Sequence, residues 1–556
     1  MTSHTPTIRP DRDTVRDGAR PRRGVAPARE RLVEIAVIAV PCAIAALLAF
    51  YEITARSLWL DEAASVAIAS QHGVALWHAM EHDGGNMLAF YALLHVLIGL
   101  FGDGLLVIRF VSALASAATI AIVCLLARRL FDRRVAVAAG LLTAVSLPFV
   151  YWGQDARSYA LMMTFITASF LAFVSLVDRE TDAPASRWAW GAYVAMTVLA
   201  AYMSFEALLI VPAQLVALVW VRRPLRPVVS ALAVVAGCCL PLLVLAERRG
   251  PGQLFWVPKP NLIQLRQMFE ALTSSGLQPN FHLTATGTPL QILSGALLLV
   301  VAATILARLL RAGRDARAGR DARARRHPSA GRDPRASWPQ VLVLCWVAVP
   351  VGLGVLESYF VQPITLPRAA LVSLPAVSLL LASGAMDHRV PRLLSLSAVG
   401  VVLVLRGLQL APSYGVSPEN WRSATTHVLA SARPGDCIAF YPADGRQAFQ
   451  YYIGANTLAS ARAPRSVLPA APWSEVKPYV EDYVSPSSSR TSQIEAACAR
   501  LWFVSSHRGQ KTGPPASRSD YLRYRALLGS LTSGYLRHET VSYGWASPVR
   551  VELFSR

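Results

Sequence analysis

Two adjacent acids, Asp61 and Glu62, close the stretch Arg56-Ser57-Leu58-Trp59-Leu60-Asp61-Glu62, just beyond the first long apolar segment. Acids favour the first turn of a helix, so the pair alone reads first as a solvated helix start. Two further charged clusters change the odds. Asp155 and Arg157 stand beside Tyr159 in Gln154-Asp155-Ala156-Arg157-Ser158-Tyr159, and Arg368 follows a proline in Gln362-Pro363-Ile364-Thr365-Leu366-Pro367-Arg368. A carboxylate can take a proton from a hydroxyl nucleophile. A planar guanidinium can hold a phosphate leaving group. Charges at the ends of apolar segments can equally be topological or snorkelling residues. Shared chemistry therefore requires that the three clusters meet on one side of a membrane.

The apolar segments that would place them are unmistakable. The 556 residues are 54% hydrophobic, with mean hydropathy +0.39. Runs of roughly 18 to 24 apolar residues recur, the length needed to cross a hydrocarbon core. The chain reads as a polytopic α-helical membrane protein with a soluble tail. Its net charge of +20 lies in Arg clusters between apolar runs rather than on a foldable basic domain, which argues for topology and against nucleic acid. Cys42, Cys124, Cys238, Cys239 and Cys345 fall inside apolar runs; only Cys437 and Cys498 lie in polar sequence, where an oxidising compartment would let them pair. The first apolar run lacks a convincing cleavage site.

Sidedness turns on Met87–Phe101, which is apolar but only 15 residues long. That length fits a helix lying at the interface or re-entering better than a span. On this reading the basic turn 127–134 is cytoplasmic, and every later loop also obeys the positive-inside rule. Eleven spans follow, at about 32–51, 105–127, 134–152, 160–177, 188–203, 205–221, 228–246, 289–310, 339–357, 367–385 and 391–409. The expected domains are a disordered basic cytoplasmic N-terminus (1–31), a transmembrane domain (32–409) and an extracytoplasmic α/β domain (410–556). External loops cover 52–104 and 247–288, and a cytoplasmic loop covers 311–337. Within that last loop, Arg311–Arg335 holds nine Arg against three Asp, a low-complexity stretch that fixes topology. In the tail, β-like runs at Cys437–Tyr441, Leu501–Val504 and Val549–Phe554 suggest the α/β fold. Asp61, Asp155 and Arg368 then all face outward.

Four stretches in this order carry a resemblance. They are Leu58-Trp59-Leu60-Asp61-Glu62; Leu88-Ala89-Phe90-Tyr91-Ala92-Leu93-Leu94-His95; Gln154-Asp155-Ala156-Arg157-Ser158-Tyr159-Ala160-Leu161; and Pro367-Arg368 with Ser373-Leu374-Pro375-Ala376. Together they resemble the GT-C membrane glycosyltransferases that use polyprenyl-phosphate sugars, most closely glycosyltransferase family 39, the protein O-mannosyltransferases and aminoarabinose transferases. The resemblance implies the GT-C fold and a location in the cytoplasmic membrane. It implies transfer of a sugar from a polyprenyl-phosphate donor to a lipid, polysaccharide or protein acceptor, with inversion. It makes Asp61 the catalytic base, with Asp155 lining the same site. It gives Arg157 and Arg368 to the donor phosphate, and Arg56, Glu62 and Tyr159 complete the substrate-binding set. The Ala- and Arg-rich composition points to a GC-rich, actinobacterial source.

The sequence also departs from the family. Gly84-Gly85-Asn86-Met87 replaces the common His-Pro-Pro, Ala369 stands where Tyr is usual, and Tyr202-Met203-Ser204-Phe205-Glu206 replaces a Tyr-Thr-His-Tyr. No metal-ligand set is evident: His78 and His82 share i, i+4 spacing but lack the H-E-x-x-H context, and metal dependence stays open. A transporter or flippase of lipid-linked glycans is the alternative, and would show charges along a central path and inverted repeats. A purely structural membrane protein would scatter the acids instead.

Overall fold

The computed structural model describes residues 26–177, 187–220, 225–250, 257–273, 296, 338–454, 462–470, 486–512 and 515–556, less positions 258, 389 and 546. The expected eighth span (apart from residue 296), the N-terminal 25 residues and the basic stretch 311–335 lie outside these residues.

The membrane part begins with α1 (Ala26–Phe50), then three shorter helices, α2 (Leu60–Ala69), α3 (Gly73–His82) and α4 (Leu88–Phe101). It continues with α5 (Leu105–Leu130), α6 (Arg133–Ala144), α7 (Leu147–Gly153), α8 (Tyr159–Val177) and α9 (Arg187–Met203). A 3-10 turn, Phe205–Leu209, leads into α10 (Ile210–Trp220), followed by α11 (Arg226–Arg249) and α12 (Leu262–Thr273). Beyond the undescribed stretch come α13 (Trp338–Phe360), a 3-10 segment Pro367–Ser373, α14 (Leu374–Ala385) and α15 (Arg392–Leu410). Among the described residues seven helices are long and apolar enough to cross a membrane, or eight if α6 and α7, bent by 63°, count as one.

The expected third span is thus a broken one. Pro148 in the first turn of α7 offers no N–H to α6 and sets a new helix start after Ser146. The sixth span opens as a 3-10 turn, and the tenth as the 3-10 segment that carries Arg368. Helix α4 has 14 residues, about 21 Å at 1.5 Å per residue, short of a hydrocarbon core of about 30 Å. Its entry is a turn of left-handed residues, Gly84, Gly85 and Met87 at φ 71°, 74° and 60°. A Cβ on Gly85 would lie 2.8 Å from Leu245 Cδ1 on α11. Proline, fixed near φ −65°, cannot adopt this turn, so the departure from His-Pro-Pro is a change of backbone path.

The core runs through the middle of the bundle, where α8 packs against α5 and α9. There the Phe170 and Trp346 rings stack 3.7 Å apart. Trp346 also donates its indole N–H to Val372 O at 2.8 Å, and Ser373 Oγ donates to Trp346 O at 2.9 Å. These bonds tie the 3-10 segment to α13.

The tail forms a five-stranded sheet flanked by helices. Its elements are α16 (Trp421–Ser431), β1 (Cys437–Tyr441), α17 (Gly445–Gly454), β2 (Arg465–Leu468), α18 (Ser488–Ala497), β3 (Arg500–Ser505), α19 (Pro515–Thr532), β4 (Leu536–Tyr543) and β5 (Val549–Ser555). The order is β2-β1-β3-β5-β4, with β1 parallel to both neighbours and β5 antiparallel to both of its own. The three runs read as strands are β1, β3 and β5. The sequence reading missed β2, which is short, and β4, whose exposed and half-buried residues offer little apolar alternation. A disulfide joins Cys437 at the start of β1 to Cys498 after α18.

Candidate active site

The stretch 48–65 is held by Gln154–Arg157, each of the four making a bond to it. Gln154 Nε2 donates to the carbonyls of Leu48, Ala49 and Tyr51 at 3.3, 3.1 and 2.7 Å, satisfying acceptors that the end of α1 leaves open. Asp155 Oδ1 accepts from Trp59 Nε1 at 2.8 Å, and Ala156 N donates to Glu62 Oε1 at 2.8 Å. Arg157 Nη1 donates to Asp61 O and Ser65 Oγ at 3.3 and 3.2 Å. Four consecutive residues thus meet one short segment, and the motif is a clamp on the first loop.

Asp61 and Glu62, adjacent in sequence, part company in space. Asp61, in the first turn of α2, keeps about a third of its side chain exposed. Its Oδ2 lies 3.6 Å from Arg157 Nη2 and 3.3 Å from Arg368 Nη1. Arg368 also lies over the Tyr159 ring, 5.9 Å from its centroid. Glu62, one residue on, points the other way and is fully buried. Arg109 grips it with both ends, Nε to Oε1 at 2.8 Å and Nη2 to Oε2 at 2.6 Å. The same guanidinium donates to the carbonyls of Ile53, Arg56 and Ser57.

The two buried acids, Glu62 and Asp155, are poised differently. Burial pushes the Glu62 carboxyl up, but the charge and hydrogen bonds of Arg109, with the Ala156 N–H, hold it below its ordinary 4.5. Burial, and next the negative Glu62, push Asp155 well above its ordinary 3.8. Asp155 Oδ2 is buried without a hydrogen bond, while Oδ1 takes the Trp59 indole N–H. Burial and the negative neighbour thus favour the protonated form of Asp155, while Arg109 favours the anion at Glu62. Through its bond to the Trp59 indole N–H, Asp155 braces the loop that carries Asp61.

The structure therefore brings Asp61, Arg157, Tyr159 and Arg368 together around one partly exposed carboxylate. Arg56 lies apart, buried against Tyr151, with its guanidinium 4.2 Å from the ring centroid and bonded to Tyr151 O and Gln154 Oε1. Contact between Asp61 and Arg368 requires both on one side of the membrane, which holds if Met87–Phe101 does not cross. His78 is exposed and lies 3.7 Å from Glu81; among the described residues no group of three His, Cys, Asp or Glu could hold a metal ion.

Sequence reasoning missed three members of the neighbourhood. Arg109 stood as a lone Arg in the first turns of an apolar span, a signal that was legible in principle. Glu206, in the turn 205–209, lies within electrostatic reach of Arg368 and Glu357. Its Oε2 is buried without a hydrogen bond. Glu419 belongs to the C-terminal sheet region and could be found only by folding it.

Residues 85–245 match the model of a family described as dolichyl-phosphate-mannose-protein mannosyltransferase. ArnT from Cupriavidus metallidurans in the apo state superposes with a TM-score of 0.51 at 15% identity, over 95% of this chain and 98% of that one. The chain has the GT-C fold. The Archaeoglobus fulgidus oligosaccharyltransferase tethered with an acceptor peptide gives a TM-score of 0.50 at 14% identity, over 92% of this chain and 73% of that one. AglB from the same organism, in complex with an inhibitory peptide and a dolichol-phosphate, gives 0.50 at 14%, over 94% and 74%. No curated protein matches by sequence. In this GT-C chain the family match includes Asp155, Arg157 and Tyr159 and leaves out Asp61 and Arg368, so the union of the two halves of the site rests on the tertiary contacts themselves.

Proposed function

We propose that the chain is an inverting glycosyltransferase of the cytoplasmic membrane that moves a sugar from a polyprenyl-phosphate donor to an acceptor at the outer face. The observation that carries this reading is the partly exposed Asp61 carboxylate held between the guanidinium groups of Arg157 and Arg368. Both cations suit a phosphate as well as a carboxylate. A bound donor phosphate would draw them off Asp61 and leave its carboxylate free to act. The acceptor O–H then gives its proton to Asp61 while its oxygen attacks the anomeric carbon from the face opposite the phosphate. The bond from that carbon to the phosphate oxygen breaks, and its electron pair stays on the lipid phosphate, stabilised by Arg157 and Arg368. Fixed charges aimed at the departing oxygen need no reorganisation during the reaction.

The dolichol-phosphate in the AglB complex and the description of the matching family support a lipid-phosphate donor. Outer-face location is supported by the positive-inside pattern and by the Cys437–Cys498 disulfide, which suits an oxidising compartment. Asp155 and Glu62 act on the reaction through the position of the first loop. The test is Asp61→Asn in the purified, full-length enzyme with a defined polyprenyl-phosphate sugar. The variant should fold and bind lipid phosphate yet lose transfer; full activity would remove Asp61 as the base.

A further inference from the structure

Helix α2 carries the proposed base in its first turn but has no cap of its own. Its N-cap residue is Trp59, which has no side-chain acceptor and makes no side-chain capping bond. The first N–H groups of a helix need acceptors from outside it. Here the acceptor comes from 359 residues away: Leu60 N donates to Glu419 Oε2 at 3.2 Å. Glu419 is buried and fixed on every side. The same Oε2 accepts from Trp421 Nε1 at 2.9 Å, and Oε1 lies 3.3 Å from His507 Nε2 on the loop after β3. Behind it, the Glu419 backbone bridges to Gly544, and Trp545 N donates to Pro418 O at 3.1 Å. A carboxylate at a helix N-terminus also meets the positive end of the dipole. Asp61 is near enough to act electrostatically on Glu419.

The preceding loop is held from the same direction. Ser57 N donates to Ser417 Oγ and Leu58 N to Tyr452 Oη, each at 2.8 Å. Arg422 donates to the carbonyls of Thr54, Ala55 and Arg56. Every one of these partners lies in sequence after α15.

We infer that Glu419 is a positioning residue for Asp61: it caps α2 in trans, and through it the C-terminal domain completes the active site. This rests on the reading of Asp61 as the base, although the capping contact can be tested without it. A misplacement of about 1 Å at the reacting group can lower a rate about a hundredfold. Glu419→Ala should therefore reduce kcat by about ten- to a hundredfold with little change in donor KM. Glu419→Gln keeps an oxygen for Leu60 N and Trp421 Nε1 and should restore most of kcat.

The experiment uses full-length protein in nanodiscs. It combines hydrogen–deuterium exchange over residues 57–64 with turnover of decaprenyl-phosphate mannose, alongside Asp61→Asn. Faster exchange confined to residues 57–64 in Glu419→Ala, reversed in Glu419→Gln, is the expected result. Unchanged exchange there would overturn the inference. So would equal loosening of the whole C-terminal domain in both variants, which would mark Glu419 as a general structural residue. Wild-type kcat in Glu419→Ala, with Asp61→Asn inactive, would overturn the inference and leave the base in place. An active Asp61→Asn would overturn the base alone, and the exchange pattern would still decide the cap.

Discussion

At the scale of single residues, the site is a sorting of charges by burial. Asp61 and Glu62 are chemically alike and adjacent, yet one faces an opening and the other a buried guanidinium. Removing one partner of a buried pair leaves an uncompensated charge, at a cost of about 3–5 kcal/mol. Glu62→Ala should therefore destabilise the protein by that order, read as a fall in melting temperature of the full-length protein, because Arg109 has no other carboxylate bonded to it among the described residues. Asp155 makes the opposite prediction. Its carboxyl titrates well above 3.8 in the fold, so the unfolded chain releases that proton first and Asp155 costs stability as pH rises above about 4. Glu62, held below 4.5, contributes stability above that pH and loses it as pH falls. Asn at position 155 can still accept from Trp59 and carries no charge. Asp155→Asn should fold, gain stability relative to wild type as pH rises above about 4, and keep activity within about tenfold. Unfolding measured across that range checks the sign, and loss of transfer as complete as in Asp61→Asn would show that Asp155 reacts directly.

At the scale of elements, short pieces do the positioning. The long helices build the bundle, while α2, the turn before α4, the residues 154–157 and the 3-10 segment 367–373 hold the charged groups. Pro148 and Pro367 are visible breakers, and both mark places where a span gives way to a site. The glycine turn before α4 was visible as a departure, but its meaning was not, since a sequence shows no φ. Gly85→Ala should be destabilising twice over, from about 1–2 kcal/mol of left-handed strain and from the clash with Leu245. Gly73 is the control: it has φ +54° with nothing within 4 Å of an added Cβ, so Gly73→Ala carries the strain alone. Thermal unfolding of the two variants separates the terms.

At the scale of the whole molecule, the tail holds the loop and helix that carry Asp61, so on the proposed reading the stability of the tail should matter to the reaction. The disulfide closes a loop of 61 residues, for which loop-closure entropy gives about 4 kcal/mol. Cys437→Ser should lower the unfolding temperature of the tail by the corresponding amount and loosen the 54–60 stretch with it, which hydrogen exchange would report. By itself the sequence determined the class of protein, because apolar length and Arg placement are properties of the chain read linearly. It also marked Asp61, Arg157 and Arg368 as belonging together, through motif order and a consistent sidedness. What only the tertiary structure decided is which of two neighbouring acids meets the Arg pair, which acid is pushed toward its protonated form, and that Glu419 accepts from the first N–H of the helix bearing Asp61. The reason is physical: proton affinity depends on burial and on charges from other elements, and a capping partner 359 residues away leaves no local pattern.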